Sequence, residues 1–294
     1  MRITNNTMIE DAKYNISKLS EQIAKYNKIA TTGKKVDKPS DDPAGITKIL
    51  NTNSHISSAD QFLKNITAVK LKMNTNDSSL ESAENLLIRA KEISIAQSTG
   101  TVSSEDRLAS AKEVDGIILE LVQIGNTKLG SQYIFSGTDT LTKPFSESGS
   151  YNGNSQQINV EIGEGVQVPV NVTGGKVFKG DGGGVDILQT LIDLKTALET
   201  NDVLSVAGKL SQIDQGLDQI LRSRAEVGAT INLLDNATSR LSNTKDNLTE
   251  ILSGLQDADI VSAYSDLTLA QYALQGALAA TAKIIQPSLL NYLD

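Results

Sequence analysis

The sequence predicts a mainly α-helical chain of long antiparallel helices, its terminal helices paired as a coiled coil and a small β domain inserted between them. Three observations carry this. Apolar residues recur at alternating spacings of three and four towards both ends, the signature of helix seams. Alternation with a period of two is confined to one interior stretch. The 294 residues include only 4 Phe and 7 Tyr and no Trp, so the apolar content is aliphatic and suits thin helix–helix seams better than one wide core.

Taken in order, Ile9, Ala12, Ile16, Leu19, Ile23 and Tyr26 form a strict heptad seam. It stops at "TTGKKVDKPSDDPAGI", where Gly33, Pro39, Pro43 and Gly45 break any helix. A helical run follows through Ile46, Ile49 and Leu50, and a second from Ile56 to about Gln97, with Lys70 and Asp77 interrupting its stripe. Ser103, three residues before Asp106, caps another helix that carries Leu108, Ala111, Val114, Ile118 and Leu121 and fades near Gly125. Two stretches, "GSQYIFSGTDTLTKPF" and "INVEIGEGVQVPVNVTGGKVF", then alternate, with Ile158, Val160 and Ile162 on one face. "GDGGGVD" reads as a hinge leaving this β module, and helix returns at Val185. Val227, Ile231, Leu234, Leu241, Leu248, Leu252 and Leu255 mark one further seam. After "GLQDAD" a last one runs Ile260, Ala263, Leu267, Ala270, Leu274, Ala277, Thr281 and Ile284, with Pro287 expected to end the helix.

The first and last helices are matched in length: at about 1.5 Å per residue they span roughly 33 and 39 Å. Pairing would set Ile9, Ile16, Leu19 and Ile23 against Leu267, Leu274, Ala277 and Ile284. The last helix also carries Ala273, Leu278, Ala279, Ala280 and Ile285 off its seam. One partner helix cannot cover these, and an uncovered apolar face marks an interaction surface. The expected occupants are neighbouring subunits.

Chemistry of other kinds finds little support. A net charge of −8 without a dense basic patch argues against nucleic acid. With no cysteine and His55 as the only histidine, Cys/His zinc sites and cysteine nucleophiles are excluded. Asp37, Asp41 and Asp42 lack the spacing of a calcium loop, and "GDGGGVD" lacks the Lys and Ser/Thr of a phosphate loop. No catalytic residue, metal or cofactor is expected. No apolar run approaches the roughly 20 residues of a membrane span, and the start lacks the pattern of a cleavable secretory signal.

Four stretches resemble the flagellin superfamily, in particular its hook–filament junction type. "TTGKKVDKPSDDPAGITKIL" is similar to the N-terminal loop signature, with Gly33, Pro39, Ser40, Asp41, Asp42 and Pro43 in the matching places. "LGSQYIFSGTDTLTKPF" resembles the approach to the β domain, and "RAEVGATINLLD" resembles a helix motif in which Thr230 replaces the usual basic residue. The segment from Leu252 to Asp294 resembles the family's C-terminal end almost continuously. The resemblance implies a terminal coiled-coil domain (1–45 with 256–294), a helical rod domain (46–130 with 184–255) and a β-rich outer domain (131–183). It further implies a structural, non-enzymatic subunit that is secreted by type III export and resides at the hook–filament junction. Its partners would be other copies of itself, the hook-side junction protein, flagellin, and an export chaperone at the C-terminal segment. A short flagellin forming the filament itself is the alternative.

Overall fold

The computed structural model describes residues 5–290, with side chains for residues 7–283. In chain order the elements are α1 (Asn5–Thr32), α2 (Pro43–Gln97), α3 (Ser104–Gly125), β1 (Lys128–Leu129), β2 (Gln132–Tyr133), β3 (Asn159–Gly163), β4 (Val166–Pro169), α4 (Ile187–Glu199), α5 (Val203–Gln256) and α6 (Ile260–Leu290). A π-helical turn, Gly175–Lys179, precedes α4. The strands form two antiparallel pairs, β1 with β2 and β3 with β4, the second with a bulge between Glu161 and Gly163.

Local chemistry sets the helix ends. α1 stops at Gly33, whose φ of 70° suits glycine and whose N–H donates to the Ile29 carbonyl at 2.8 Å. Ser103 caps α3: its Oγ accepts from the Asp106 N–H at 3.1 Å and donates to the Asp106 carboxylate at 2.8 Å. Asp186 accepts from the Gln189 N–H to cap α4, and Asp259 accepts from the Val261 and Ser262 N–H groups to cap α6.

Four expectations are corrected. The runs at 46–50 and 56–97 are one 55-residue helix, because nothing between Leu50 and Ile56 breaks it. The helical stretch expected from about Val185 onward is interrupted: Asn201 adopts a left-handed φ of 57°, and Asp202, accepting from the Ser205 N–H, caps α5 at its start at Val203, dividing it from α4. "QYIFSG" contributes only a two-residue strand. α6 continues past Pro287 to Leu290, since a proline this near the helix end removes a single backbone hydrogen bond.

The chain divides into two compact units, residues 58–244 and residues 1–57 with 245–294. The first holds a continuous core in which α2 (Met73, Leu80, Leu87), α3 (Val114, Leu121), α4 (Leu191, Leu194) and α5 (Ile213, Ile220, Leu234) share buried side chains. Lys70 and Asp77, the charged positions on the α2 stripe, meet partners on α5: Lys70 pairs with Asp235, and Asp77 accepts from Arg224 Nε at 3.0 Å. Arg224 also donates to Glu84 at 2.7 Å.

Arg107 is a buried cation held by neutral acceptors. Its guanidinium donates to the Gln97 carbonyl at 3.2 Å, the Thr99 carbonyl at 2.6 Å and the Asn201 side chain, tying the α2–α3 and α4–α5 connections together. Arg107→Ala strands these acceptors and is expected to cost on the order of 3 kcal/mol in urea unfolding. Arg107→Lys should recover only part of it, because an ammonium cannot reproduce the planar fork.

The segment between α3 and α4 is folded by rings and amides more than by strands. Three of the 4 phenylalanines sit here: Phe178 meets Phe135 and Phe145 edge-on at 5.5 Å, and Phe145 lies 5.1 Å from Tyr151. Asn126 exchanges two hydrogen bonds with the backbone of Phe145, at 2.9 and 3.0 Å, and Asn171 bridges Ile158 and Gln156 in the same manner. Gly137 has a φ of 74° and a missing Cβ that would stand 2.3 Å from the Asn154 carbonyl, so only glycine fits there. "GDGGGVD" is a closed turn: Gly183 and Gly184 donate back to the Gly180 carbonyl, and Gln219 bonds both the N–H and the carbonyl of Val185.

Candidate assembly surface

The second compact unit is thin. Its buried apolar side chains among the described residues are Val36, Ile49, Ala263 and Ala270. Within it α1 packs along α6. On α1 the half-buried positions include Ile9, Ala12, Ile16, Leu19, Ile23 and Tyr26, with exposed residues between them. On α6, Ala263 and Ala270 are buried and Leu267, Leu274, Ala277 and Thr281 half-buried, whereas Ile260 is exposed. Large and small residues thus alternate along the α6 seam, which lets the backbones approach. The side chain of Ile284, the last expected seam partner, lies outside the described residues, as does that of Ile285.

Away from this seam, α6 remains apolar and uncovered. Ala273, Leu278, Ala279 and Ala280 are exposed, as expected. Larger side chains join them that heptad reading passed over: Val261 (78% exposed), Tyr264, Leu269 (66%) and Tyr272 (67%). They fall off the register of the seam, and tyrosine reads as a surface residue. The signal lay in the sequence all the same, since a helix whose apolar residues spread well beyond one seam has more than one face to bury. Gly276 sits on this outer side with no neighbour within 4 Å of a Cβ and no positive φ. Intramolecular packing therefore gives no reason for a residue that costs a helix about 1 kcal/mol relative to alanine.

Magnitude decides what the face can do. Full burial of a Val- or Leu-sized side chain contributes on the order of 1.5–3 kcal/mol, while association costs roughly 4–15 kcal/mol. One patch of this kind is largely offset by that cost. Stable attachment needs contacts on several sides at once, as in a multi-subunit array.

The loop between α1 and α2 frames the unit. Ala258 donates to the Gly33 carbonyl at 2.8 Å, Lys35 N–H donates to the Gln256 carbonyl at 2.7 Å, and Lys35 Nζ donates to the Gly254 carbonyl at 2.6 Å. Val36 is buried beside these contacts. Asp37 pairs with Lys28 at 2.8 Å, and this hydrogen-bonded ammonium holds its carboxyl below the usual range. Asp41 accepts from the Lys38 and Asp37 N–H groups, which lowers its carboxyl as well. Both shifts favour the ionised forms, so their support of the loop is present above the ordinary carboxylate pKa and is lost as pH falls through the lowered values.

Asp42 is the N-cap of α2. Its Oδ1 accepts from the Ala44 N–H at 3.1 Å and the Gly45 N–H at 2.9 Å, and Pro43 occupies the first helical position, where a missing N–H costs nothing. Gly45 leaves room for the cap, since a Cβ there would lie 2.3 Å from Asp42 Oδ2. Pro39, Ser40 and Asp41 lie in the turn that leads into it, with Asp41 N–H donating to the Lys38 carbonyl at 2.9 Å. The "PSDDPAG" pattern is thereby explained as turn, cap and first turn of a helix. Asp42→Ala is expected to lower stability by about 1 kcal/mol, read as a shift of the urea midpoint. His55 is exposed on α2. Among the described residues no helix is long and apolar enough to cross a membrane.

Helices from the two ends of the chain pair with each other, and a ring-packed segment is inserted between them in the sequence. The family model for the bacterial flagellin N-terminal helical region matches residues 3–140, and that for the bacterial flagellin C-terminal helical region matches residues 210–293. The chain belongs to the bacterial flagellin family. Within it, flagellar hook-associated protein 3 of Escherichia coli (strain K12) is 27% identical over 303 residues, covering 95% of this chain and 96% of that protein. The flagellar filament 30.7 kDa core protein of Treponema maltophilum is 25% identical, covering 86% of this chain and 85% of its own length. The crystal structure of flagellar hook-associated protein-3 from Legionella pneumophila shares the fold with a TM-score of 0.64 at 20% identity, covering 70% of this chain and 98% of that one.

Proposed function

We propose that this chain is a structural subunit joining hook to filament at the bacterial flagellar hook–filament junction, acting by self-assembly and helix packing and not as an enzyme. The observation that carries the reading is the α1–α6 layer, whose seam is half-buried within the chain and whose outer α6 face is apolar and bare. Assembly completes burial that one copy cannot. Residues 1–45 with 256–294 act as the terminal coiled-coil domain, 46–130 with 184–255 as the rod and 131–183 as the β-rich domain. Ile9, Ile16, Leu19 and Ile23 pack against Leu267, Leu274, Ala277 and Ile284, and Gly33, Pro39, Ser40, Asp41, Asp42 and Pro43 set the loop between the coiled coil and the rod. The partners are further copies, the hook-side junction protein and flagellin, with an export chaperone holding the C-terminal segment before secretion. Nucleic acid and membrane have no part in this role.

A short flagellin forming the filament itself is the second reading, favoured by the match to the Treponema filament protein. Labelled antibody in electron microscopy separates the two. A narrow band at the hook tip is the expected result; staining along the whole filament would replace this reading with the second.

A further inference from the structure

An open groove in residues 58–244 lies between the β3–β4 hairpin and one face of α5. It measures about 630 Å³; its apolar lining is Ile162, Val166 (43% exposed), Ala229, Leu233 (46%) and Ala237, and its polar lining is Asn232, Asn236 and Arg240. Arg240 makes no ion pair among the described residues, and it stands on an acidic chain of net charge −8. A mainly apolar groove that carries an unpaired cation suits an apolar knob beside an unpaired anion. The outer face of α3 offers one: Leu119 is 52% exposed, and its neighbour Glu120 is exposed and makes no ion pair among the described residues. Gly116, one turn earlier and exposed, has nothing within 4 Å of a Cβ and would let another backbone come close.

We infer that the β3–β4/α5 groove of one copy receives α3 of a second copy, with Leu119 seated between Val166 and Leu233 and Glu120 paired to Arg240. The inference rests on the junction reading and names one contact within it. Groove and knob are different patches of the same chain, so the contact is heterologous. Such contacts propagate around a ring, whereas a patch meeting itself closes as a dimer.

The chain contains no cysteine, which permits a direct test in intact flagella. Val166→Cys and Leu119→Cys together, treated with a short bis-maleimide, should give a ladder of covalent multimers that neither single variant gives. Arg240→Glu and Glu120→Arg should each reduce junction incorporation at least about tenfold, and the double reversal should restore it. Links formed by Val166→Cys alone would overturn the proposal in favour of a self-paired contact. No ladder from junctions that contain the protein would overturn this contact and leave the junction reading standing. Absence of the protein from the junction would overturn both.

Discussion

Leu274→Asp is expected to leave residues 58–244 folded and to abolish attachment of filaments to hooks. Leu274 sits half-buried on the α6 seam in a unit whose fully buried apolar side chains, among the described residues, are Val36, Ile49, Ala263 and Ala270. A carboxylate carried into an apolar seam loses hydration worth several kcal/mol unless it finds a partner or is neutralised. A layer with so few buried apolar side chains among the described residues has little to absorb the loss, so α1 and α6 should separate. Near-UV dichroism of the purified chain should keep the contribution of the ring cluster of Phe135, Phe145, Phe178 and Tyr151, which belongs to the other unit, and lose at most that of seam residues such as Tyr26, while micrographs should show bare hooks. Leu274→Met conserves the volume and should attach filaments normally. Normal filaments on Leu274→Asp cells would sink the role given to the seam.

The second large effect is expected at Phe145. Its side chain is buried against Phe178 and Tyr151, and Gly125 and Gly174 press on its ring so closely that a Cβ at either would come within 2.6 and 2.8 Å of it. Phe145→Ala should therefore leave a cavity partly walled by glycines, which have no side chains to collapse into it. A loss of about 3–5 kcal/mol is expected, which for a unit of this size lowers the melting temperature by roughly 10 °C. Gly125→Ala should destabilise by the opposite route, overpacking the same place. The pair Phe145→Leu with Gly125→Ala should then be less damaging than the sum of its parts, because the added methyl enters the space the smaller side chain leaves. Strict additivity would show that the two residues do not share one packing site.

The parts of this fold written as periodicity were legible. The heptads of Ile9 to Tyr26 and of Ala263 to Thr281 mark the half-buried and buried stripes of α1 and α6, because a 3–4 repeat states which side of a helix loses water. Local capping chemistry was equally readable at Ser103 and Gly33. What escaped notice depends on distant partners. Asn126, Asn171 and Gln219 hold the β-rich segment together through contacts 13 to 42 residues away, so alternation in "QYIFSG" suggested more strand than the backbone forms. Arg107 carries no sequence signal for its role, which is to close on two connections, one of them 94 residues on. The outer face of α6 was half-seen, since Tyr264 and Tyr272 carry a polar tip on a large apolar ring.

Gly276→Ala separates stability from assembly. The methyl should strengthen α6 by up to about 1 kcal/mol in the isolated chain and weaken junction formation where a neighbour approaches that spot. Most direct for the central claim is amide hydrogen exchange on α1 and α6, compared between the free chain and intact flagella. Protection of both helices should be weak in the free chain and rise at least about a hundredfold on assembly, with residues 58–244 equally protected in both. Strong and unchanged protection of α1 and α6 in the free chain would contradict a surface completed only by its neighbours.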